Sequence, residues 1–315
     1  MLQDEPLAEF TSEEFDSELE IILALLRNRA TPDQFPKGYV LGGQPGSGKT
    51  TLHGIIMDNV TNNISVINGD DFRRHHPNFR KLLEKYGKDW VDYTNAFSGK
   101  MTEAIISRLS QLHYNLIVEG TLRTTSVPIS TCKLLKQQGY SVELCMMAVK
   151  PEISYSSTIL RYEQMISRGL PARATPRDKH DGIVHSLAEN LNQIDKLHLF
   201  DNITIYNREK QCLYDQRISR NRNPAAILDQ VLTGFWSPEE RDSLLQILND
   251  AQKLMERRSA LEFSDFAIYR KNLIDRVDAA AIRPDSLKNR LRAAQCKSDK
   301  IAESLLMQRP HEIER

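Results

Sequence analysis

The chain has 315 residues, enough for one large domain or for one domain with a smaller attachment. It is 40% hydrophobic and 27% charged, which is typical of a globular protein rather than a disordered one. Its 42 Lys and Arg residues balance 42 Asp and Glu residues, so no overall charge indicates nucleic acid or a membrane surface as a partner. No apolar run approaches the length of a membrane span, and the acidic N-terminus is unlike a signal peptide.

Helical and strand-like segments alternate along the first two thirds of the chain. A capping box from Thr11 to Glu14, followed by apolar residues at helical spacing, predicts a first helix. Alternation of strands and helices predicts an α/β fold with an open parallel sheet and helices on both faces, which binds ligands where its strands end. Strands are predicted at 39–41, 64–67, 115–118, 142–149 and 203–206, and helices at about 50–59, 79–86, 98–112, 128–138, 152–168 and 178–197.

A complete G-x-x-x-x-G-K-T phosphate-binding loop (P-loop) occupies residues 43–50, between the first strand and a helix, as the motif requires. Its glycines allow backbone N–H groups to surround phosphate oxygens, and the helix N-terminus adds a favourable dipole. We expect Lys49 to reach the β- and γ-phosphates and Thr50 to help hold Mg²⁺. The alternative, a glycine-rich turn that binds nothing, does not account for these flanks. The predicted nucleotide-binding residues are Gly43, Gln44, Pro45, Gly46, Ser47, Gly48, Lys49, Thr50 and Thr51.

Acidic residues follow the second and third predicted strands. Asp70 comes directly after Gly69, where a carboxylate can accept a proton from an attacking hydroxyl. The alternative is that Asp70 only caps the next turn or helix. Glu119 ends the third strand in the Walker-B arrangement, which orients Mg²⁺ directly or through water. Its alternative is a structural ion pair with a nearby cation.

Basic residues cluster between the fourth and fifth strands. Such a series could close over a triphosphate as a lid and neutralise charge on the transferring phosphoryl group. A solvated basic helix face is the simpler interpretation of any one of them. The series comprises Arg161, Arg168, Arg173, Arg177 and Lys179.

The pattern changes after about residue 217. Ser237 to Glu240 predicts a helix start with an N-cap, a first-turn proline and a capping glutamate. Further helices are predicted at 261–279 and 286–306. We therefore divide the chain into a P-loop kinase domain, 1–216, and a helical extension, 217–315, which carries no motif of known chemistry. Its amphipathic helices must bury their apolar faces, and we expect them to pack on the back of the sheet rather than to cover the cleft.

The four cysteines, Cys132, Cys145, Cys212 and Cys296, show no C-x-x-C spacing. This pattern predicts free thiols in a reducing compartment, without a disulfide framework or a zinc site.

A series of short motifs over roughly residues 10–215 resembles the zeta toxin family of bacterial toxin–antitoxin kinases. Their combination is far more specific than the P-loop alone. The motifs run from Gly42 to Thr50, His76 to Phe79, Met101 to Ile106, Val118 to Thr125, Arg161 to Glu163, Ala172 to Pro176 and Tyr206 to Glu209.

The resemblance implies a cytoplasmic bacterial kinase that uses ATP or GTP with Mg²⁺ to phosphorylate the 3′-hydroxyl of the amino sugar of UDP-N-acetylglucosamine. It implies Asp70 as the general base and Lys49 as a phosphate ligand. Arg161 and Arg173 would reach the nucleotide phosphates. It also implies a small helical antitoxin as partner, or inhibition by the chain's own helices. The positions that match the sugar-nucleotide pocket are Glu103, Glu119, Arg123 and Thr131.

Several departures from the family pattern concern the acceptor side. Asn68 and Gly69 stand where an acidic or polar pair is frequent, Leu122 stands where glycine is usual, and the lid is one residue shorter. Two other functions therefore remain open: a P-loop kinase of another nucleotide-sugar or an antibiotic, and a nucleotide-gated binding module. Asp70 distinguishes a kinase of any acceptor from a binding module, because a kinase needs a base there and a binding module does not.

Overall fold

A six-stranded sheet organises the protein, whose computed structural model describes residues 5–219 and 221–280. The strand order is β2-β3-β1-β4-β5-β6, in which β1 to β5 are parallel and β6 is antiparallel to β5. The predicted open parallel sheet is therefore confirmed, with an antiparallel edge strand that the sequence analysis did not predict. The strands are β1 Lys37–Gly42, β2 Ser65–Ile67, β3 Leu116–Val118, β4 Ser141–Met147, β5 Asn202–Tyr206 and β6 Cys212–Asp215.

Helices connect the strands and continue beyond the sheet. Most lie within a few residues of their predicted positions, while the predicted helix at 286–306 falls outside the described residues. The α-helices are α1 Ser12–Arg27, α2 Thr50–Asn59, α3 Gly69–Phe72, α4 Phe79–Tyr86, α5 Trp90–Tyr93, α6 Asn95–Gln111, α7 Ser126–Gln137, α8 Pro151–Ser167, α9 Arg177–Lys196, α10 Pro224–Thr233, α11 Pro238–Arg257 and α12 at 263–280. Within 5–219 and 221–280, none of them has both the length and the apolar character needed to cross a membrane.

Both predicted capping boxes are present and fix the starts of α1 and α11. The Thr11 hydroxyl accepts a hydrogen bond from the Glu14 N–H at 3.2 Å, and the Glu14 carboxylate accepts one from the Thr11 N–H at 2.8 Å. Ser237 and Glu240 repeat the arrangement at 3.1 and 2.9 Å. Each reciprocal pair satisfies two backbone donors that a helix start would leave without partners.

Alternate residues of the central strands enter two different cores. Val40 and Leu144 pack into the larger core, which α1, α6, α7, α9 and α10 complete. Tyr39 and Leu41 point to the opposite face, where Leu52 of α2 covers them. Burial of both faces explains why the strands appear as continuous apolar runs in the sequence.

The last helices form a third core against α8. Leu248 of α11 and Leu273 of α12 are buried there together with Ile153 of α8. α10 instead joins the larger core beside α9, through residues such as Leu228. The extension thus packs partly on the sheet's helical layer and partly on α8. The boundary at residue 216 stays a prediction.

Two contacts made by charged side chains hold this extension. Arg258 donates to both carboxylate oxygens of Glu163 at 2.7 and 2.9 Å, and the Glu163 side chain is fully buried. Lys150, at the start of α8, donates to the carbonyl oxygens of Val231 and Gly234, each at 2.9 Å. The first contact joins the end of α11 to α8, and the second satisfies carbonyl groups at the end of α10.

The cysteines in the described residues are free thiols, as predicted. Cys132 and Cys145 are buried and Cys212 is exposed, while Cys296 lies outside the described residues.

Candidate active site

A cavity of about 720 Å³ lies where the central strands end. The P-loop after β1, the segments after β2 and β3, the inner face of α8 and the loop after β5 line it. Parallel sheets place ligand sites at this edge because the ends of their strands converge there.

The P-loop is held tightly against α8. Gly46 has φ of 73°, and a Cβ at this position would overlap the carbonyl oxygen of Ser154. Only glycine combines this backbone conformation with so close a contact. The fully buried Gln44 side chain donates to the Val149 carbonyl oxygen at 2.8 Å and to the Ser154 hydroxyl at 3.2 Å. These contacts set the loop's shape before any phosphate binds.

Lys49 lies at the centre of the loop. Its ammonium group donates to the carbonyl oxygens of Gly43 at 2.9 Å and Gln44 at 3.3 Å. Burial lowers the pKa of Lys49 to about 8, with Arg161 acting in the same direction and Glu119 opposing both. The lysine is therefore a poorly solvated cation beside the place where the motif predicts phosphates.

Asp70 projects into the cavity from the first turn of α3. Asn68 is the N-cap of that helix, since its side-chain oxygen accepts a hydrogen bond from the Asp70 N–H at 3.1 Å. The Asp70 carboxylate is thus not needed as the cap. It pairs with Arg73 at 3.0 Å and with Arg173. Burial acts to raise the pKa of Asp70, but Arg173 and Arg73 together hold it below its ordinary value.

Two of the five predicted lid cations, Arg161 and Arg173, line the cavity. Burial and the neighbouring Arg173 lower the pKa of Arg161. The Arg161 Nε is buried and has no hydrogen-bond partner among the described residues, so it is a donor suited to an anion. The others lie elsewhere: Arg168 is exposed, Arg177 stacks over Tyr155 and Tyr269, and Lys179 pairs with Asp92 at 3.0 Å.

Glu119 and Thr50 line the cavity beside Lys49. A Glu119 oxygen lies 2.9 Å from Nε2 of His53, which stands on α2 one turn after the P-loop. Among the other predicted nucleotide ligands, Pro45, Gly46 and Gly48 line the cavity. Gly43, Gln44, Ser47 and Thr51 are not among the residues that line it.

The predicted sugar-nucleotide residues divide into two groups. Arg123 and Thr131 line the cavity, beside β3 and on α7. Glu103 does not: it is exposed on α6, whereas Ser98 of the same helix donates to the Gly69 carbonyl oxygen at 2.5 Å. The helical period identified α6 but not the side that faces the ligand. The role of Glu103 stays a prediction.

Leu122 shows what the departure from glycine entails. Its φ is 56°, a left-handed conformation that costs a non-glycine residue roughly 1–2 kcal/mol. Its side chain is buried, and its carbonyl oxygen accepts a hydrogen bond from Asn190 at 2.9 Å. These contacts offset the backbone strain and keep the loop that carries Arg123 in place.

Arg208, in the loop after β5, was part of a recognised motif but had no predicted role. It donates to the carbonyl oxygens of Gly46 and, at 3.1 Å, of Ser47, and also to the Ser157 hydroxyl at 2.9 Å. Its guanidinium thus holds the outward carbonyls of the P-loop, which leaves the loop's N–H groups free for phosphate. The sequence signals were its place directly after a strand and within the Tyr206 to Glu209 motif.

Comparison with known proteins shows which family the chain belongs to. The family model described as Zeta toxin matches residues 24–219. The chain belongs to the zeta toxin family. This zeta-family chain is 43% identical over 239 residues to Toxin PezT of Streptococcus pneumoniae, covering 76% of this chain and 94% of that protein. It is 39% identical over 258 residues to Toxin zeta of Streptococcus pyogenes, covering 82% and 90%.

A solved structure supports the same assignment. It comes from the PezAT chromosomal toxin-antitoxin system of Streptococcus pneumoniae, with 39% sequence identity and a TM-score of 0.74. The match covers 79% of this zeta-family chain and 100% of the solved chain. The P-loop kinase-like fold is therefore shared with that structure.

Proposed function

We propose that this zeta-family protein is a kinase that transfers the γ-phosphoryl group of ATP or GTP to the 3′-hydroxyl of the amino sugar of UDP-N-acetylglucosamine. The observation that carries the proposal is that Lys49, Asp70 and Arg173 face one cavity together with the P-loop. A base, a phosphate cradle and cations at one place are the parts that phosphoryl transfer needs.

In the proposed reaction Asp70 accepts the proton of the acceptor hydroxyl as its oxygen attacks the γ-phosphorus. The bond from that phosphorus to the bridging oxygen breaks, and the nucleoside diphosphate leaves. Because its lowered pKa keeps Asp70 ionised near neutral pH, the carboxylate is ready to take the proton. Arg161 and Arg173 stabilise the charge that develops on the transferring group.

The oxygen ligands on the β3 side of the P-loop fit Mg²⁺. Thr50 supplies a hydroxyl and Glu119 a carboxylate to the same cavity. Within 5–219 and 221–280 there is no group of three or more His, Cys, Asp or Glu side chains that could hold a metal ion. Mg²⁺ needs no such cage, since phosphates and water supply most of its ligands. We assign Thr50 as the direct ligand and Glu119 as a contact through water; the bound ion would neutralise phosphate charge.

The acceptor and the biological role rest on family membership. Arg123 and Thr131 line the same cavity as Asp70 and Glu119, which supports an anionic, hydroxyl-rich acceptor in it. The names of the relatives, both toxins, support a toxin of a toxin–antitoxin system. The solved toxin–antitoxin relative supports a protein antitoxin as partner. We place the reaction in the bacterial cytoplasm.

The test is to incubate the pure protein with ATP or GTP, Mg²⁺ and a panel of nucleotide-sugars, and to identify the phosphorylated product by mass. Asp70→Asn should still bind ATP but lose roughly 10²–10⁴ in turnover, because the amide cannot take the proton. Lys49→Ala should lose nucleotide affinity. Asp71→Asn, the adjacent exposed carboxylate, is the matched control and should retain activity.

Near-full turnover by Asp70→Asn would show that the base is assigned wrongly. Nucleotide binding without any phosphorylated product from the wild-type protein would instead favour the binding module. Expression in bacteria adds a second readout: the wild-type chain should arrest growth, and Asp70→Asn should not.

A further inference from the structure

The cavity has two halves on either side of the P-loop. In the sheet, β1 lies between β3 and β4. Asp70 and Glu119 follow β2 and β3, so they lie on one side of the loop. α8 follows β4 and Arg208 follows β5, so both lie on the other side.

This division orients the phosphoryl donor. In an in-line transfer the γ-phosphate lies between the acceptor hydroxyl and the leaving β-phosphate. The acceptor hydroxyl must lie at Asp70, and the P-loop holds the β-phosphate. The rest of the nucleotide therefore extends away from Asp70, to the side of α8 and Arg208.

The far half of the cavity has an apolar wall. Ser157, Leu160 and Gln164 stand at successive turns on one face of α8 and all line the cavity, and Ser157 also contacts Arg208. Ile247 of α11 also lines the cavity. Leu160 and Ile247 are both half-buried at the edge of the core that joins α8, α11 and α12. They form one apolar surface where two helices meet.

We infer that Leu160 and Ile247 form the wall against which the purine base of the donor packs, so that α11 is part of the nucleotide site. The inference rests on the proposed kinase function. A purine is a flat apolar face with a polar edge, which suits two half-buried aliphatic side chains beside the Gln164 amide. The helical extension therefore contributes to donor binding, although it lies beyond the residues that the family model matches.

The experiment compares a full nucleotide with its phosphate part alone, using the full-length protein and titration calorimetry. Ile247→Ala and Leu160→Ala should each weaken ATP binding by roughly tenfold, from loss of about half the burial of the deleted carbons. Binding of inorganic tripolyphosphate, which has no base, should not change. Ile268→Ala, the same substitution at an exposed position of α12, is the matched control and should change neither.

Three outcomes are informative. Equal weakening of ATP and tripolyphosphate by Ile247→Ala would mean that the side chain only supports the loop, and unchanged ATP binding would also overturn the inference. A wild-type protein that binds neither ligand would instead refute the proposed function. If Ile247→Ala lowers the thermal midpoint, Ile247→Val serves in its place, with an expected loss of about twofold in ATP affinity.

Discussion

The ion pair between Arg258 and Glu163 gives the sharpest prediction about the extension. Arg258→Ala leaves the Glu163 carboxylate fully buried without its two hydrogen bonds of 2.7 and 2.9 Å. Removing one partner of a buried pair costs about 3–5 kcal/mol. Because 29% of the Arg258 side chain is exposed, we expect the lower end, about 3 kcal/mol. That is a large fraction of a typical folding stability of roughly 5–15 kcal/mol.

Substituting the other partner, Glu163, should lower the stability less. Glu163→Gln keeps an acceptor for Arg258, and water reaches the guanidinium, so we expect a loss of about 1 kcal/mol. Replacing both residues by methionine should recover most of the stability lost in Arg258→Ala, since an apolar pair needs no charge partner. The asymmetry between the single variants identifies the cause as a stranded buried charge rather than lost packing.

Urea unfolding at neutral pH measures these free energies of unfolding. The slope of the free energy against urea concentration shows whether a variant also changes the surface area exposed on unfolding. Arg257→Ala, the exposed neighbour, should stay within about 0.5 kcal/mol of the wild type. Arg258→Ala should also lower kinase turnover, because Glu163 stands two residues after Arg161 on α8. A loss of stability no greater than that of Arg257→Ala would refute the reasoning.

Other predictions concern charge and the extension. Arg161→Ala and Arg173→Ala should each lower kcat by roughly 10²–10³, and the rise in KM for the proposed sugar-nucleotide acceptor should be smaller than this fall in kcat. An unchanged kcat in both variants would show that neither arginine acts on the transferring group. Because Arg173 opposes the effect of burial on Asp70, Arg173→Ala should raise the Asp70 pKa and move the acidic limb of kcat/KM to higher pH. A chain ending at Arg217 should lose thermal stability and aggregate, because it exposes two cores; equal stability with higher activity would establish inhibition by the extension. Burial lowers the pKa of His180 below 6.5, so below that pH the unfolded chain binds a proton that the folded chain does not. The free energy of unfolding should therefore decrease as the pH is lowered below 6.5. The decrease should be less steep in His180→Gln.

Local patterns predicted most of the helices and strands and a phosphate-binding loop. The P-loop and the two capping boxes are each defined by residues close together in sequence, so their geometry follows from a few positions. β6 was missed because Cys212–Asp215 is four residues long and half of its residues are only partly buried. Such a short edge strand carries too little apolar alternation to be recognised.

The features of the site that the sequence did not predict depend on contacts between segments far apart in the chain. Arg208 holds carbonyls more than 160 positions away in the chain, at Gly46 and Ser47, and no local pattern encodes that contact. Ile247 was not singled out from the sequence, because helical periodicity does not show which residues of a helix reach a cavity. Glu103 was assigned by motif position alone, because the sequence does not show which face of α6 lines the cavity, and its role stays a prediction.

Lys49 also has a calorimetric consequence. With a pKa of about 8, a substantial fraction of this lysine is uncharged in mildly alkaline solution. A bound triphosphate would favour the charged ammonium, so nucleotide binding should draw a proton from the buffer. The measured binding enthalpy should then depend on the ionisation enthalpy of the buffer, and its slope against that enthalpy counts the protons taken up. Affinity for nucleotide would accordingly weaken as the medium becomes more alkaline.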